Sequence, residues 1–348
     1  MSGHELYLVG SVPMANAEEV FTRISGAFGN RIKQIPDGET GNRLDWITWL
    51  EPVFSKHPNF EPSLELFQLH PSAPKRQRYQ LKPGASLANF KIENLFYADI
   101  AKESYAVFKR LRDEGKIAQG TKFQVDLVPA HSVIWLFVVD ALQAQVDPLY
   151  NLALANEIDK IAEAIPHEDL AIQIDVASAV FARLQRGDEN NTYGDTKEAM
   201  EARFTEILAG LANRVPADID LLFHFCYGDS NHRHVVEPID MQDMVDMANR
   251  LRYRIKRPIT LIHMPVPRER DDNAYFAPLQ DLDLKPETKL ALGLVHHTDG
   301  LEGTMKRLAT ARKFVSGFTL GTECGFGRRN PETVPELLRI HVQAAASE

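Results

Sequence analysis

The sharpest chemical signal in this sequence is a pair of residues two apart, His224 and Cys226. In an extended chain, residues i and i+2 share a face, so an imidazole and a thiol here would point the same way, as metal ligands do. The second cysteine of the chain, Cys324, lies far along the sequence and joins them only if the fold brings the two regions together. Thiolate plus imidazole is the preferred donor set of Zn²⁺, so zinc is the first cofactor to expect. With two cysteines in all, a disulfide framework is excluded. Other reactive residues end or follow short apolar runs: Gly10 and Ser11, Asp175, His263, the pair His296 and His297, and Glu323 beside Cys324.

The elements that must position them recur along the chain. Eight β-branched or apolar runs read as strands: residues 5–10, 64–69, 122–127, 170–175, 220–226, 258–263, 290–295 and 316–321. Most are separated by stretches with apolar residues at three- and four-residue spacing, which read as helices. Strand–helix alternation with eight strands predicts an α/β fold, a closed (β/α)₈ TIM barrel, with the reactive residues at the C-terminal ends of the strands. Residues 51–90, rich in Pro, His and Lys, read as a long loop inserted after the second strand and covering one end of the barrel. No repeat, linker or composition break divides the chain, so residues 1–348 are expected to form one domain. A doubly wound nucleotide-binding sheet is disfavoured, because GETG (38–41) and GFGRR (325–329) lack the full glycine fingerprint.

Composition narrows the partners. The chain has 39 Lys+Arg against 48 Asp+Glu, a net charge of −9, which argues against nucleic acid. The richest apolar stretch, residues 133–142, is interrupted by Asp140, so no membrane span is expected. The N-terminus carries His4 and Glu5 where a signal peptide would be basic, and the protein reads as cytoplasmic. Lys75, Arg76, Arg78 and Lys82 form a basic segment suited to an anionic donor or carrier, and Asn231 to His234 a polar loop able to reach the mouth, though the first reading of both is solvated surface.

The motifs resemble, in order, those of the cobalamin-independent methionine synthases. HFCY (224–227) and TECGFGRR (322–329) resemble that family's H-x-C and D-C-G signatures. LVGSVP (8–13), DGETGNR (37–43), VPAHSVIW (128–135) and IQID (172–175) are similar to its V-G-S-x-P, G-E-P-x-R, G-P-V-T-x-x-x-W and I-Q-x-D segments. LGLVHHTDGLEG (292–303) resembles its seventh-strand segment more loosely.

The resemblance implies a zinc-bearing barrel that transfers a methyl group to a small-molecule thiol, homocysteine or a relative. It places the zinc ligands on His224, Cys226 and Cys324, with the fourth position falling to His263, Glu269 or water. It puts the amino-acid pocket on Gly10, Ser11, Glu39 and Asp175, the aromatic surface for the methyl donor on Trp135, and the acid that serves the donor on His296 or His297. Val176 and Ala177 follow Asp175 where the family has Glu and Pro, which leaves the thiol's identity open. The donor is a folate, a corrinoid protein or a small methylated metabolite. Alkyl transfer to another electrophile, zinc-assisted hydrolysis and a non-catalytic relative are the alternatives on the same frame.

Overall fold

The computed structural model describes residues 3–88, 90–187, 192–228 and 233–347. Nine strands occur among them in chain order: β1 Gln34–Pro36, β2 Phe60–Phe67, β3 Arg76–Leu81, β4 Lys122–Leu127, β5 Leu170–Val176, β6 Asp220–Phe225, β7 Leu261–Pro265, β8 Lys289–Val295 and β9 Thr319–Thr322. Seven of them, β1-β4-β5-β6-β7-β8-β9, form one parallel sheet, and β2 and β3 form a separate antiparallel hairpin. Every residue of β5 and β7 is buried, as parallel strands covered on both faces require.

The sheet curls until its edges nearly meet. Leu6 bridges in parallel to Ile32, just before β1, and to Leu320 in β9. The Leu6 N–H donates to the Arg31 carbonyl, and the Tyr7 N–H to that of Leu320, both at 2.9 Å. A ring of eight regular strands, as expected from the sequence, is therefore not what forms: the first segment meets the sheet through one bridging residue. Its next carbonyls are held sideways instead, with Gln124 Nε2 at 3.2 Å from Leu8 O and 3.1 Å from Val9 O, and Gln173 Nε2 at 2.7 Å from Val9 O.

The second strand also differs from expectation. Residues 64–69 do not enter the sheet; the place beside the first segment belongs to β1, a three-residue strand too short to show a pattern. Leu64, fully exposed in β2, made the run look apolar although one side of the hairpin faces solvent. The insertion after β1 is thus no loop but a short helix, Pro52–Ser55, and the β2–β3 hairpin. The hairpin is tied to the body where Tyr79 bridges Val138.

Helices cover the outside of the sheet, each from a local pattern. In Ala17–Phe28, Asn16 caps the first turn by accepting from the Glu19 N–H, and Val20, Phe21, Ile24 and Phe28 make one buried stripe. Phe21 meets Phe123 of β4 edge-on, and Phe108 and Tyr105 of helix Tyr97–Asp113 pack on the same ring. Inside the sheet, Tyr7, Val9, Ala171, Leu222, Leu261 and Ala291 form an apolar plug. Two residues further along their strands come Gln173, His224 and His263, so alternation lifts polar side chains above the plug. Among the described residues no helix is long and apolar enough to cross a membrane.

Phe123 is 1% exposed and touches three other aromatic rings. Phe123→Ala should lower unfolding stability by about 3–5 kcal/mol, read from the midpoint of chemical denaturation.

Candidate active site and metal centre

Strand β6 presents His224 and Cys226 at its inner end, and the turn after β9 brings Cys324 against them. The two Sγ atoms are 3.6 Å apart, and one ligand atom from each of the three residues lies within 4.8 Å of the others. Two thiolates on one tetrahedral zinc at ~2.3 Å stand about 3.8 Å apart, so this spacing fits the ion. The sulfurs share a proton unequally. The Cys226 S–H pointing at Cys324 holds the Cys324 thiol well below its ordinary range, helped by His224 and Arg328, while the same contact and burial push Cys226 up.

His263 does not turn into this donor set. Its Nε2 lies 3.0 Å from the Thr322 carbonyl, which can only accept, so Nε2 carries the proton. Burial holds His263 neutral, which leaves Nδ1 as an acceptor, and His224 Nδ1 lies 2.8 Å from it. His224 must then donate from Nδ1, and its Nε2 lone pair remains for a metal. His263 thus fixes the tautomer of His224, the task an outer partner has beside a metal ligand. Glu269, the other residue considered for a fourth ligand, is exposed and paired with Arg268. Three protein ligands with a further position for substrate is the pattern of a catalytic zinc site.

Carboxylates face the sulfurs across the site. Asp175 ends β5 and Glu39 follows β1, as the sequence implied, and Asp126 at the end of β4 joins them. Asp126 was legible in KFQVDL by the argument that singled out Asp175, a carboxylate closing an apolar strand, but matched no motif. Gln124 Nε2 and Gln173 Nε2 hold Asp126 and Asp175 at 2.8 Å each. Glu39 has φ +45°, a left-handed conformation kept by its N–H donating to Asp37 Oδ1 at 2.8 Å. Gly10 belongs where the carboxylates crowd the backbone: a Cβ there would lie 2.7 Å from Asp126 Oδ2 and 3.3 Å from Glu39 Oε2. Burial raises all three acids, Glu39 to about 8, Asp175 to about 6 and Asp126 well above its usual value; repulsion from Asp175 adds to the rise at Glu39 and Asp126, while at Asp175 His224 opposes the rise and Cys324 adds to it.

Ser11 lies beside them, its Oγ accepting from the Gly327 N–H at 3.2 Å. Gly325 and Gly327 let the turn after Cys324 press on it, since a Cβ on either would meet Ser11 below 3 Å.

Gly10, Ser11, Glu39, Asp175, His224, Cys226 and Cys324 line a cavity of about 560 Å³ that also contains Trp46, Phe67, Leu69, Arg76 and Trp135, while Asp126 stands outside that lining. The insertion therefore does cover the mouth, through β2 and the turn behind it. Trp135 packs edge-on against Phe67 at 5.1 Å and carries the Arg183 guanidinium 4.6 Å over its ring. Neither His296 nor His297 lines this cavity. His296 is buried, with Nε2 on the Val266 carbonyl at 2.8 Å, and burial pulls it down to about 4, so it is neutral at pH 7. His297 lies close enough to Glu336, on the outer helix Val334–Ala346, to stabilise that carboxylate. His234 is not a solvated loop residue: burial lowers its basicity, but Glu323 at 2.6 Å and Glu237 at 2.8 Å outweigh that and raise it to about 9. Arg233 is exposed, and Asn231 and His232 lie outside the described residues. In the basic segment, Arg78 is buried against Asp140 and the Trp135 carbonyl, contrary to the surface reading.

With this geometry in hand, the chain can be set beside known proteins. No family model and no curated protein matches the sequence. Solved structures do match. A B12-independent methionine synthase from Shewanella sp. W3-18-1, solved in complex with selenomethionine, superposes with a TM-score of 0.54 at 13% identity, covering 83% of this chain and 75% of that one. A methyltransferase from Methanosarcina mazei superposes with a TM-score of 0.57 at 11% identity, covering 99% and 94%. The likeness is one of fold.

Two outcomes follow from the geometry. Protein purified without added metal should carry about one zinc per chain by elemental analysis, lost in both Cys226→Ser and Cys324→Ser, and His263→Leu should weaken zinc binding roughly 10- to 100-fold. A carboxyl raised on folding binds more protons folded than unfolded, so stability falls as pH rises from the ordinary carboxylate range towards about 8, where Glu39 titrates. The melting temperature of metal-free protein should therefore drop between about pH 5 and pH 8, and Glu39→Gln should flatten that drop.

Proposed function

We propose that this chain is a zinc-dependent methyltransferase that methylates the sulfur of a small aminothiol, homocysteine or a relative. We read the curled sheet with its bridging first segment as a (β/α)₈ barrel of one domain, with its active site at the C-terminal strand ends. The observation that carries the reading is one cavity lined by a His–Cys–Cys donor set and by the carboxylates of Glu39 and Asp175, with Asp126 packed behind Gly10. The fold likeness to a methionine synthase and a methyltransferase supports it.

His224, Cys226 and Cys324 would hold the zinc. When bound, it supplies the positive charge that keeps a thiol deprotonated near neutral pH. Glu39 and Asp175, with Asp126 behind Gly10, receive the substrate's ammonium, since a buried cation needs charged, hydrogen-bonding partners. That charge in turn offsets the repulsion that raises the three acids. Ser11 and the backbone N–H groups at Gly10 and Ser11 are the donors on that side for a carboxylate. Trp135 and Phe67 supply a flat apolar surface for the donor, and the hairpin excludes water from the line between sulfur and methyl carbon. Positioning of this kind removes several kcal/mol of a two-substrate barrier.

The test is transfer of a ¹³C-labelled methyl group to homocysteine and to cysteamine, followed by NMR with a panel of donors. Asp175→Asn should raise the KM for the aminothiol by about 10- to 100-fold, the value of one charge-assisted hydrogen bond, and Cys324→Ser should abolish turnover. Zinc-replete protein that methylates no thiol with any donor would overturn the proposal.

A further inference from the structure

The part of the cavity walled by the insertion and by Trp135 has a chemistry of its own. Trp46, Phe67 and Trp135 give it aromatic walls, with Leu69 and Leu136 beside them. The Arg76 guanidinium on that rim is 2.7 Å from Asp45, so its charge is met where it borders the cavity. The Arg328 guanidinium leans 3.8 Å from Cys324 Sγ, towards the other end. A donor entering here meets ring faces and, ahead of it, the carboxylates of Glu39 and Asp175. That surrounding favours positive charge and resists negative charge. One face of Trp135 already binds a cation, Arg183, whose own charge is met by buried Asp147.

We infer that the methyl donor is a methyl onium, a sulfonium or quaternary ammonium, received by the faces of Trp46 and Trp135 and drawn inward by the carboxylates. This rests on the thiol methylation proposed above and names its second substrate.

Two further observations agree. An amine or folate donor must be protonated as its methyl leaves; His296 and His297 both lie off the cavity, and Glu39, raised enough to hold a proton there, is taken up by the aminothiol in the function proposed above. An onium needs no acid: the thiolate lone pair forms the new S–C bond, and the electrons of the breaking C–S or C–N bond stay on the leaving atom. That atom departs neutral, and no proton or oxidant is consumed. The cavity's volume of about 560 Å³ must also serve two reactants, although it is mid-range for one drug-sized ligand. A small donor fits that constraint.

The inference is tested first by binding. Choline and its neutral isostere 3,3-dimethylbutan-1-ol are titrated into the protein by calorimetry, with tryptophan fluorescence as a second signal. Choline should bind about tenfold more tightly than the isostere, and both Trp46→Leu and Trp135→Leu should reduce that preference. Equal binding of the two probes in wild type overturns the onium site, whether or not a variant folds. Turnover then separates the sources: ¹³C-methyl transfer from trimethylsulfonium identifies a sulfonium, and transfer from trimethylglycine a quaternary ammonium. Transfer to homocysteine from 5-methyltetrahydrofolate alone would keep the methyltransferase and discard the onium. Failure of every donor with choline preference intact would discard the methyltransferase and leave the cation site.

Discussion

Two side-chain amides hold this structure together where its regular hydrogen bonding stops. Gln124 and Gln173 project inward from β4 and β5 and bind the carbonyls of Leu8 and Val9, which the sheet leaves unpaired. The same amides hold Asp126 and Asp175, and the Tyr7 hydroxyl donates to Gln173 Oε1 from below. Buried carbonyls left without donors would each cost about 1–3 kcal/mol, so the irregular first segment depends on this layer. Docking of the first segment on the curled sheet and the aim of the carboxylates therefore rest on the same two amides.

Above that layer the site divides by charge. In the proposed reading the sulfurs and His224 are the donor set for a metal cation, and the acids the receptor for an organic one. Burial above all, with repulsion from neighbouring acidic groups, is why Glu39 and Asp175 sit above their ordinary values. Such a site stores unfavourable energy in the free protein and releases it on binding, a stability cost that functional sites commonly carry. The strained φ of Glu39 belongs to the same account.

The hairpin is the part of the molecule that makes the mouth a cavity. It contributes Phe67 to the wall and is fixed by Arg78, which reaches both Asp140 and the Trp135 carbonyl. One buried guanidinium thus ties the hairpin to the backbone of Trp135, whose side chain lines the cavity.

Much was legible in the sequence, and for definite reasons. The i, i+2 pair His224 and Cys226, the carboxylate ending β5 and most of the strands follow from the two-residue alternation of extended chain and its apolar runs, which are local properties. β1 was not legible because three residues carry no period, and β2 misled because exposed Leu64 mimicked a core position. The distance of Cys324 from Cys226, the diversion of His263 from ligand to tautomer partner, the exclusion of His296 and His297 from the cavity and the entry of Asp126 were decided only by the tertiary structure. Each depends on which strand ends become neighbours around the curled sheet and on which hydrogen-bond partner stands nearest, and neither is encoded in local spacing. The residue types alone determined what chemistry was possible, because ligand softness and charge belong to side chains; the fold determined which of them meet.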